Sequence, residues 1–344
     1  MKIALCSSFV PFVYGGARNI VEWLQAMLEQ EGHKVERIYL PQVDAPDLLF
    51  QQMAAFRWID LTSADRIICF RPQAHLILHH HKILWFIHHI RSFYDLWDSP
   101  YCGFPGDPKH KGIRSALHAA DTFALLEAQH VFTNSRVVAN RLRKFNRIDS
   151  EVLYPPVYRP ERFQCNGYND EIVSVCRLEH HKRQHLLVEA MQHTRTPVRL
   201  RICGTNSDSD YPKSLQRLIV GMGLQKRVTF ENRWISEEEK VISFANCLAV
   251  AYLPLDEDSY GYPTLEASHS SKATLTTLDS GGVLELVQDG FNGLITEPAP
   301  EALAEAMDSL YLDRDMAEAM GQNGCLRLSE LNISWSHVLK RLLA

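Results

Sequence analysis

Short apolar runs alternate with amphipathic stretches along almost the whole chain, and this alternation limits the fold more than any other feature. KIALCSSF reads as a buried strand, and Ile20, Val21, Leu24, Met27 and Leu28 then recur at helical spacing. Gly32 stands where that helix ends, and KVERIYL resumes as a strand. Strand, helix and strand in this order make a βαβ unit with a parallel sheet. Further strands are expected at 66–70, 83–88 and 130–134, with a helix over 135–145. The polar stretch CNGYNDE, 165–171, reads as a linker. A second series opens at Ile172, with strands IVSVCRL, VRLRICG, VTF, LAVAYLP and ATLTT separated by helices HLLVEAMQ, SLQRLIVGMG, EEEKVISFAN and PTLEASHSS. Two such series predict an α/β protein of two doubly wound, Rossmann-like domains facing each other across a cleft. They occupy 1–164 and 165–330, and an amphipathic last helix in 331–344 is expected to pack back on the first. In such sheets ligands bind at the carboxyl ends of the strands.

Composition narrows the class. The length of 344 residues suits two domains at ~150 residues each. With 36 basic against 41 acidic residues and a net charge of -5, nothing points to a nucleic-acid partner. The charge is uneven: residues 1–164 hold 19 basic and 16 acidic side chains, the rest 17 and 25. Lys109, Lys111, Arg114 and the cations of 141–147 read either as a solvated face or as a peripheral contact with an anionic membrane surface. The eight cysteines are scattered without a C-x-x-C pair, which suits a reduced, cytoplasmic protein. No apolar run reaches the ~18 residues of a membrane span.

Four constellations carry potential chemistry. In DSYGYPTLEA the strand LAVAYLP leads to an acidic loop, then Gly261, Pro263 and a helix start. Free N–H groups and the helix dipole make an anion site there, and Asp258 and Glu266 bracket it. Carboxylates beside an anion site suit hydroxyls flanking a phosphate, such as those of sugars; routine helix capping is the other reading. In CRLEHHK, Arg177 and Lys182 follow a strand and can neutralise a diphosphate, or form an ordinary basic loop. In YGGARN, Gly15 and Gly16 permit close backbone approach or a plain tight turn, but do not make G-x-G-x-x-G. In ILWFIHHIRSFYD, His88 and His89 end an expected strand and point to opposite sides. With HHH at 79–81 a metal site is a candidate, but the ligand spacing is wrong, so no metal or other cofactor is expected.

Taken in order, these pieces resemble the family-4 retaining glycosyltransferases of GT-B fold, over nearly the whole chain. GGARNIVEWLQAMLEQEGHKV is similar to the family's GGAE…L…GH-V opening. VCRLEHHKRQHLLVEA resembles its "GRL…K…li-A", with Cys176 where glycine is usual. The stretch from Arg227 to Ile295 resembles the donor half, including E-x7-E with aspartate at its first position. The resemblance implies a nucleotide-sugar donor. It places Arg177 and Lys182 at the diphosphate, Glu266 at the ribose and Asp258 at the transferred sugar. It sets the amides of Gly261 and Tyr262 at the phosphates, Gly15 and Gly16 near phosphate and acceptor, and His88 near the reacting sugar, with His89 the choice if the register shifts by one. Aspartate at 258 shortens that reach by one methylene. The implied activity is retaining transfer of a hexose from a UDP- or GDP-sugar to a glycan or lipid-linked hydroxyl, as in surface polysaccharide synthesis. The readings left beside it are a sugar-nucleotide hydrolase or epimerase, and a non-catalytic sugar-nucleotide binder.

Overall fold

The computed structural model describes residues 1–12, 15–42, 45–99, 102–206 and 210–344. They form two compact units, Met1–Pro155 with Ile333–Ala344, and Pro156–Asn332.

The first unit is built on a six-stranded sheet of β1 (Lys2–Phe9), β2 (Lys34–Pro41), β3 (Arg66–Cys69), β4 (Lys82–Phe86), β5 (His130–Thr133) and β6 (Glu151–Val152), in the order β2-β1-β3-β4-β5-β6. Every pairing in it is parallel. Six successive residues of β1 are buried, as a parallel strand covered on both faces requires. Helix α1 (Gly16–Gln30) buries Ile20, Val21, Leu24 and Leu28, the stripe its spacing foretells. Helices α2 (Leu49–Arg57), α3 (Pro108–Leu126) and α4 (Arg136–Asn146) complete the connections and pack Phe56, Leu117 and Leu142 against Ile67 and Leu84 of the strands. Two of these, α2 and α3, were not foreseen. Strand β4 stops at Phe86, where its partner β5 stops at Thr133, so His88 lies in the loop beyond and not on the strand.

The second unit repeats the plan with β7 (Glu171–Val175), β8 (Arg199–Gly204), β9 (Val228–Asn232), β10 (Ala249–Ala251), β11 (Ala273–Thr277) and β12 (Gly293–Thr296). Their order is β12-β11-β10-β7-β8-β9, again all parallel. Its helices are α5 (Gln184–Ala190), α6 (Tyr211–Gly221), α7 (Glu237–Asn246), α8 (Tyr262–His269), α9 (Pro300–Leu312) and α10 (Arg314–Glu330). Ile172, Leu200, Ala249 and Leu275 of the strands form one buried cluster with Leu187, Leu215, Leu303 and Met307 of the helices. At ~1.5–3 kcal/mol per buried aliphatic side chain, such a cluster is the main stabilising term.

The units divide at Pro155/Pro156, ahead of the expected 164/165 boundary. The segment up to 164 belongs to the second unit because Phe163 is buried and Arg162 reaches Glu237 of α7. The last helix, α11 (Trp335–Leu343), is part of the first unit. Arg66 Nη1 donates to Leu342 O at 2.5 Å, and Arg341 pairs with Glu151. Among the described residues no helix is long and apolar enough to cross a membrane.

One buried cation fixes the loops that follow β7, β10 and β11. Arg183 is 8% exposed and adopts a left-handed φ of 55°. Its Nε donates to Leu253 O at 2.8 Å, and its two terminal nitrogens grip Asp279 at 2.7 Å each. It also donates to Pro254 O and Thr277 Oγ1. Arg183→Met should cost about 3 kcal/mol of folding stability, because it strands a carboxylate and two carbonyls. Arg183 is the chief reason that the Asp279 carboxyl sits below its ordinary pKa. A lowered folded pKa gives stability that is complete above the unfolded value of ~4 and is lost as pH falls through the folded one. Thermal melting of both proteins between about pH 7 and pH 2 checks this: the gap should narrow on acidification. A gap that stays constant with pH would remove the ion pair from the account.

Candidate functional site

The order of the second sheet reverses between β7 and β10, which are neighbours although two strands intervene in sequence. At such a switch point the two connecting loops diverge and leave a crevice at the carboxyl ends of the strands. The loop after β7 carries Arg177 and Lys182, and the loop after β10 carries Asp258 and Gly261, so these candidates lie on the two loops of the switch point.

Lys182 is 8% exposed. Its Nζ donates to Tyr252 Oη at 2.9 Å and to the Glu257 carboxylate, and Tyr252 Oη also donates to Glu257 at 3.0 Å. Burial and the Glu257 charge push the Tyr252 phenol well above its ordinary pKa, while Arg177 acts the other way. Arg177 is therefore close enough for its charge to be felt at the same ring. It is exposed and pairs with Glu179 at 2.6 Å. The acidic loop is pressed into place from three sides. Leu255 N donates to His181 O, Asp256 N to Asp279 O and Gly282 N to Glu257 O. A Cβ on Gly281 would come within 2.6 Å of Glu257, and one on Gly282 within 2.6 Å of Ser259.

Helix α8 begins at Tyr262, one residue before the proline that was expected to start it. Its first turn runs from the Gly261 cap to Thr264, where the helix makes no backbone bonds of its own to the N–H groups and Pro263 has none to give. Gly261 precedes the helix with a φ of 72°, and a Cβ there would meet the Tyr252 ring at 2.3 Å. No other residue fits this position, so the helix terminus is held against the ring that carries Lys182. Tyr262 is part-buried beside Glu266, and burial with that charge raises its phenol pKa well above normal. Asp258 is half-buried in the same loop.

Glu266 is 2% exposed and belongs to a second ion cluster. Its Oε1 accepts from Lys240 Nζ at 2.6 Å, and Lys240 also pairs with Glu237 at 2.8 Å. Burial raises the Glu266 pKa, and Lys240 counters that rise. Burial likewise opposes the charge on Lys240, but Glu266 and Glu237 together hold its pKa above the ordinary lysine value.

In the first unit, His88 is part-exposed just past β4. Its Nδ1 lies 2.6 Å from His89 O, and Arg71 Nε donates to its Nε2 at 3.2 Å. These contacts assign the proton to Nδ1. His89 faces the interior at 1% exposure, stacked on Tyr94, with Nε2 2.8 Å from Asn146 Oδ1. Burial lowers its pKa to about 4. Gly15 is the residue before α1, with an extended φ of -173° and nothing within 4 Å of a built Cβ. The chain itself therefore does not require glycine there, and Gly16 opens the helix; Val13 and Tyr14 lie outside the described residues. Of the cations noted in this unit, Arg141 is buried against Asp95, whereas Lys109 is exposed beside Asp47. Among the described residues no three His, Cys, Asp or Glu side chains are grouped to hold a metal ion.

Four residues of this region escaped the sequence reading: Tyr252, Glu257, Arg183 and Lys240. Lys240 left a signal, because it stands four residues before the buried Phe244 and so on the inner face of α7. Glu257 left none, since DED offers three carboxylates in a row.

Residues 161–327 match the family of glycosyl transferases group 1. A D-inositol 3-phosphate glycosyltransferase of Corynebacterium urealyticum is 29% identical over 176 residues, which make up 49% of this chain and 40% of that protein. The alpha-1,3/1,6-mannosyltransferase ALG2 of Homo sapiens is 24% identical over 298 residues, 79% of this chain and 69% of the relative. The crystal structure of Anabaena HepE in complex with UDP superposes with a TM-score of 0.69 at 17% identity, covering 99% of both chains. At that identity the likeness is one of fold.

An external anion at Lys182 competes with the Glu257 charge for the same ammonium. Glu257→Gln keeps the hydrogen bond but removes the competing charge, so pyrophosphate should bind about 10-fold more tightly, a gain of ~1.4 kcal/mol. Titration calorimetry on both proteins measures it. Equal or weaker binding by the variant would mean that the ammonium does not meet the anion.

Proposed function

We propose, from the premise that this chain is a glycosyltransferase of GT-B fold and of the group 1 type, that it moves a hexose from a nucleotide diphosphate sugar to a glycan or lipid-linked hydroxyl, with retention at the anomeric carbon. We place the reaction in the cytoplasm, with a peripheral membrane contact where the acceptor is lipid-linked. The observation that carries the reading is Lys182, a buried ammonium at the switch point of the second sheet, beside a helix terminus that only glycine allows.

The chemistry sets the roles. When the glycosidic bond to the donor breaks, negative charge collects on the departing diphosphate. Arg177 and the amides at Gly261 and Tyr262 are placed to receive it, and Lys182 joins them in competition with Glu257. A leaving diphosphate oxygen is in turn basic enough to take the proton of the attacking hydroxyl. Glu266 offers Oε2, which has no protein hydrogen-bond partner among the described residues, to the ribose hydroxyls. Asp258 accepts from a hydroxyl of the transferred sugar. His88 hydrogen-bonds that sugar as charge develops on it, and Gly15 and Gly16 leave room at the start of α1. UDP in complex with HepE supports a uridine donor among the choices.

Because the positive charge comes from the chain's own groups, we propose turnover without a divalent metal. Product formation should be unchanged by excess EDTA; abolition by the chelator, with recovery on adding one divalent ion, would overturn that statement. Transfer itself is read from labelled donor: acceptor-dependent product must equal the nucleotide diphosphate released. Free sugar formed without acceptor would mark a hydrolase instead.

His88→Ala should bind nucleotide almost normally and lose ~10²-fold in rate, the size of a positioned proton or hydrogen-bond contribution. His89→Ala should instead lower the melting temperature, since His89 fills a buried stack, and leave the rate per folded molecule much closer to wild type. A slow His89 variant beside a fully active His88 variant would exchange their roles.

A further inference from the structure

We propose that Lys240 is a positioning residue for nucleoside recognition, holding Glu266 as an ionised acceptor with Oε2 turned outward to the ribose. The inference rests on the role given to Glu266 above and names the device that makes that role work.

The geometry is a chain of alternating charges. Arg162 Nη2 lies 3.4 Å from Glu237 Oε2, Glu237 Oε1 lies 2.8 Å from Lys240 Nζ, and Lys240 Nζ lies 2.6 Å from Glu266 Oε1. The links come from three places: the turn at 160–162, helix α7 and helix α8. Serine caps α7 through Ser236 Oγ and the Glu239 amide, with the Glu239 side chain returning to Ser236 N, so the turn that carries Glu237 and Lys240 is rigid.

The need for such a chain follows from burial. A carboxylate at 2% exposure is driven towards its neutral acid by desolvation. Glu237 repels it further, while Lys240 and Arg162 attract it. A neutral acid serves a ribose badly. It keeps one O–H donor where the two ribose hydroxyls present donors of their own, and one acceptor site is lost. The Lys240 ammonium prevents this, and by occupying Oε1 it also decides which oxygen is left for the ligand. The sequence shows lysine on the inner face of an otherwise acidic first turn, EEEK, a position that core packing alone would not select.

The test uses calorimetry with UDP and GDP, each against its 2′-deoxy analogue, on wild type, Lys240→Met, Lys240→Arg and Glu266→Gln, between about pH 6 and pH 9. The wild type should favour the ribonucleotide by a constant ratio, because the terminal phosphate, which titrates near pH 6, is common to both nucleotides, and each variant's affinity is read relative to wild type at the same pH. Lys240→Met should be about 10-fold weaker at the acid end, recover as pH rises and ionises Glu266, and lose its ribose preference; one unit of pKa displacement corresponds to such a factor. Lys240→Arg should restore both properties. Glu266→Gln should lose the ribose preference at every pH. If Lys240→Met does not fold, Lys240→Gln, which keeps a hydrogen-bond donor without the charge, takes its place. A Lys240 variant that keeps the ribose preference and a flat pH profile overturns the proposal. If Glu266→Gln also keeps the preference, the failure belongs to the ribose role of Glu266 and not to Lys240.

Discussion

Lys182 cannot keep its charge at 8% exposure without a counter-charge and hydrogen-bond acceptors, and much of the second unit's architecture provides them. Tyr252 at the end of β10 gives one acceptor and Glu257 another. Glu257 reaches the ammonium only because its loop is clamped, with Arg183 gripping Asp279 and the carbonyls behind it, and Gly281 and Gly282 admitting the backbone of 256–259 at close range. Gly261 then lets the chain pass under the Tyr252 ring and enter α8. A cation, a phenol, a carboxylate and a helix terminus are thereby fixed by one set of contacts. A change in any of the three glycines reaches the charge as a displacement of backbone, and not as the loss of a ligand.

The parallel sheets were legible because period and burial agree in them. β1, β7 and β11 are continuous apolar or small-residue runs, and such runs between helical stretches admit few other folds. α3 was legible in principle: Asp107 accepts from the His110 amide and Pro108 opens the helix, a recognised start signal. It was missed because its later part, KHKGIRSALHAADTFALL, mixes charge, histidine and glycine into the apolar stripe. The candidate site was legible as types and loops, since strand ends point to it. Its pairing was not. Lys182 chooses Glu257 over its neighbours through loop clamps made by residues twenty or more positions away, and no local pattern encodes that. Gly15 illustrates the reverse case, a residue type that local rules explain by steric need and that the fold leaves in open space.

The two adjacent histidines show how one register decides chemistry. β4 ends at Phe86, and the chain then places His89 inward, where Tyr94 stacks on it and Asn146 takes its Nε2. Asn146 in turn donates to Thr122, and Tyr94 donates to the buried Asp121, which also meets His75 at 2.8 Å. This network encloses His89, and burial lowers its pKa to about 4 although Asn146 and Asp121 pull the other way. It also fixes the carbonyl of His89, to which His88 Nδ1 is bound, so the interior ring sets the proton position of the outer one. The buried polar network serves the exposed imidazole by orienting its backbone support.

Both charged clusters of the second unit are paired before any ligand arrives: Lys182 with Glu257, Glu266 with Lys240. Unpaired, either buried ion would be discharged by desolvation, and the site would present neutral groups to a charged ligand. Pairing keeps the charges, but in two different ways. Lys240 holds Glu266 by one oxygen, and the other has no hydrogen-bond partner among the described residues, so a ligand can add to the pair without breaking it. Glu257 and Tyr252 both converge on the Lys182 ammonium itself, so an incoming anion there meets the charge of a carboxylate. A ligand adds beside the first pair and competes with the carboxylate of the second. A cation already paired with a carboxylate gains less affinity from a second anion than a bare cation would.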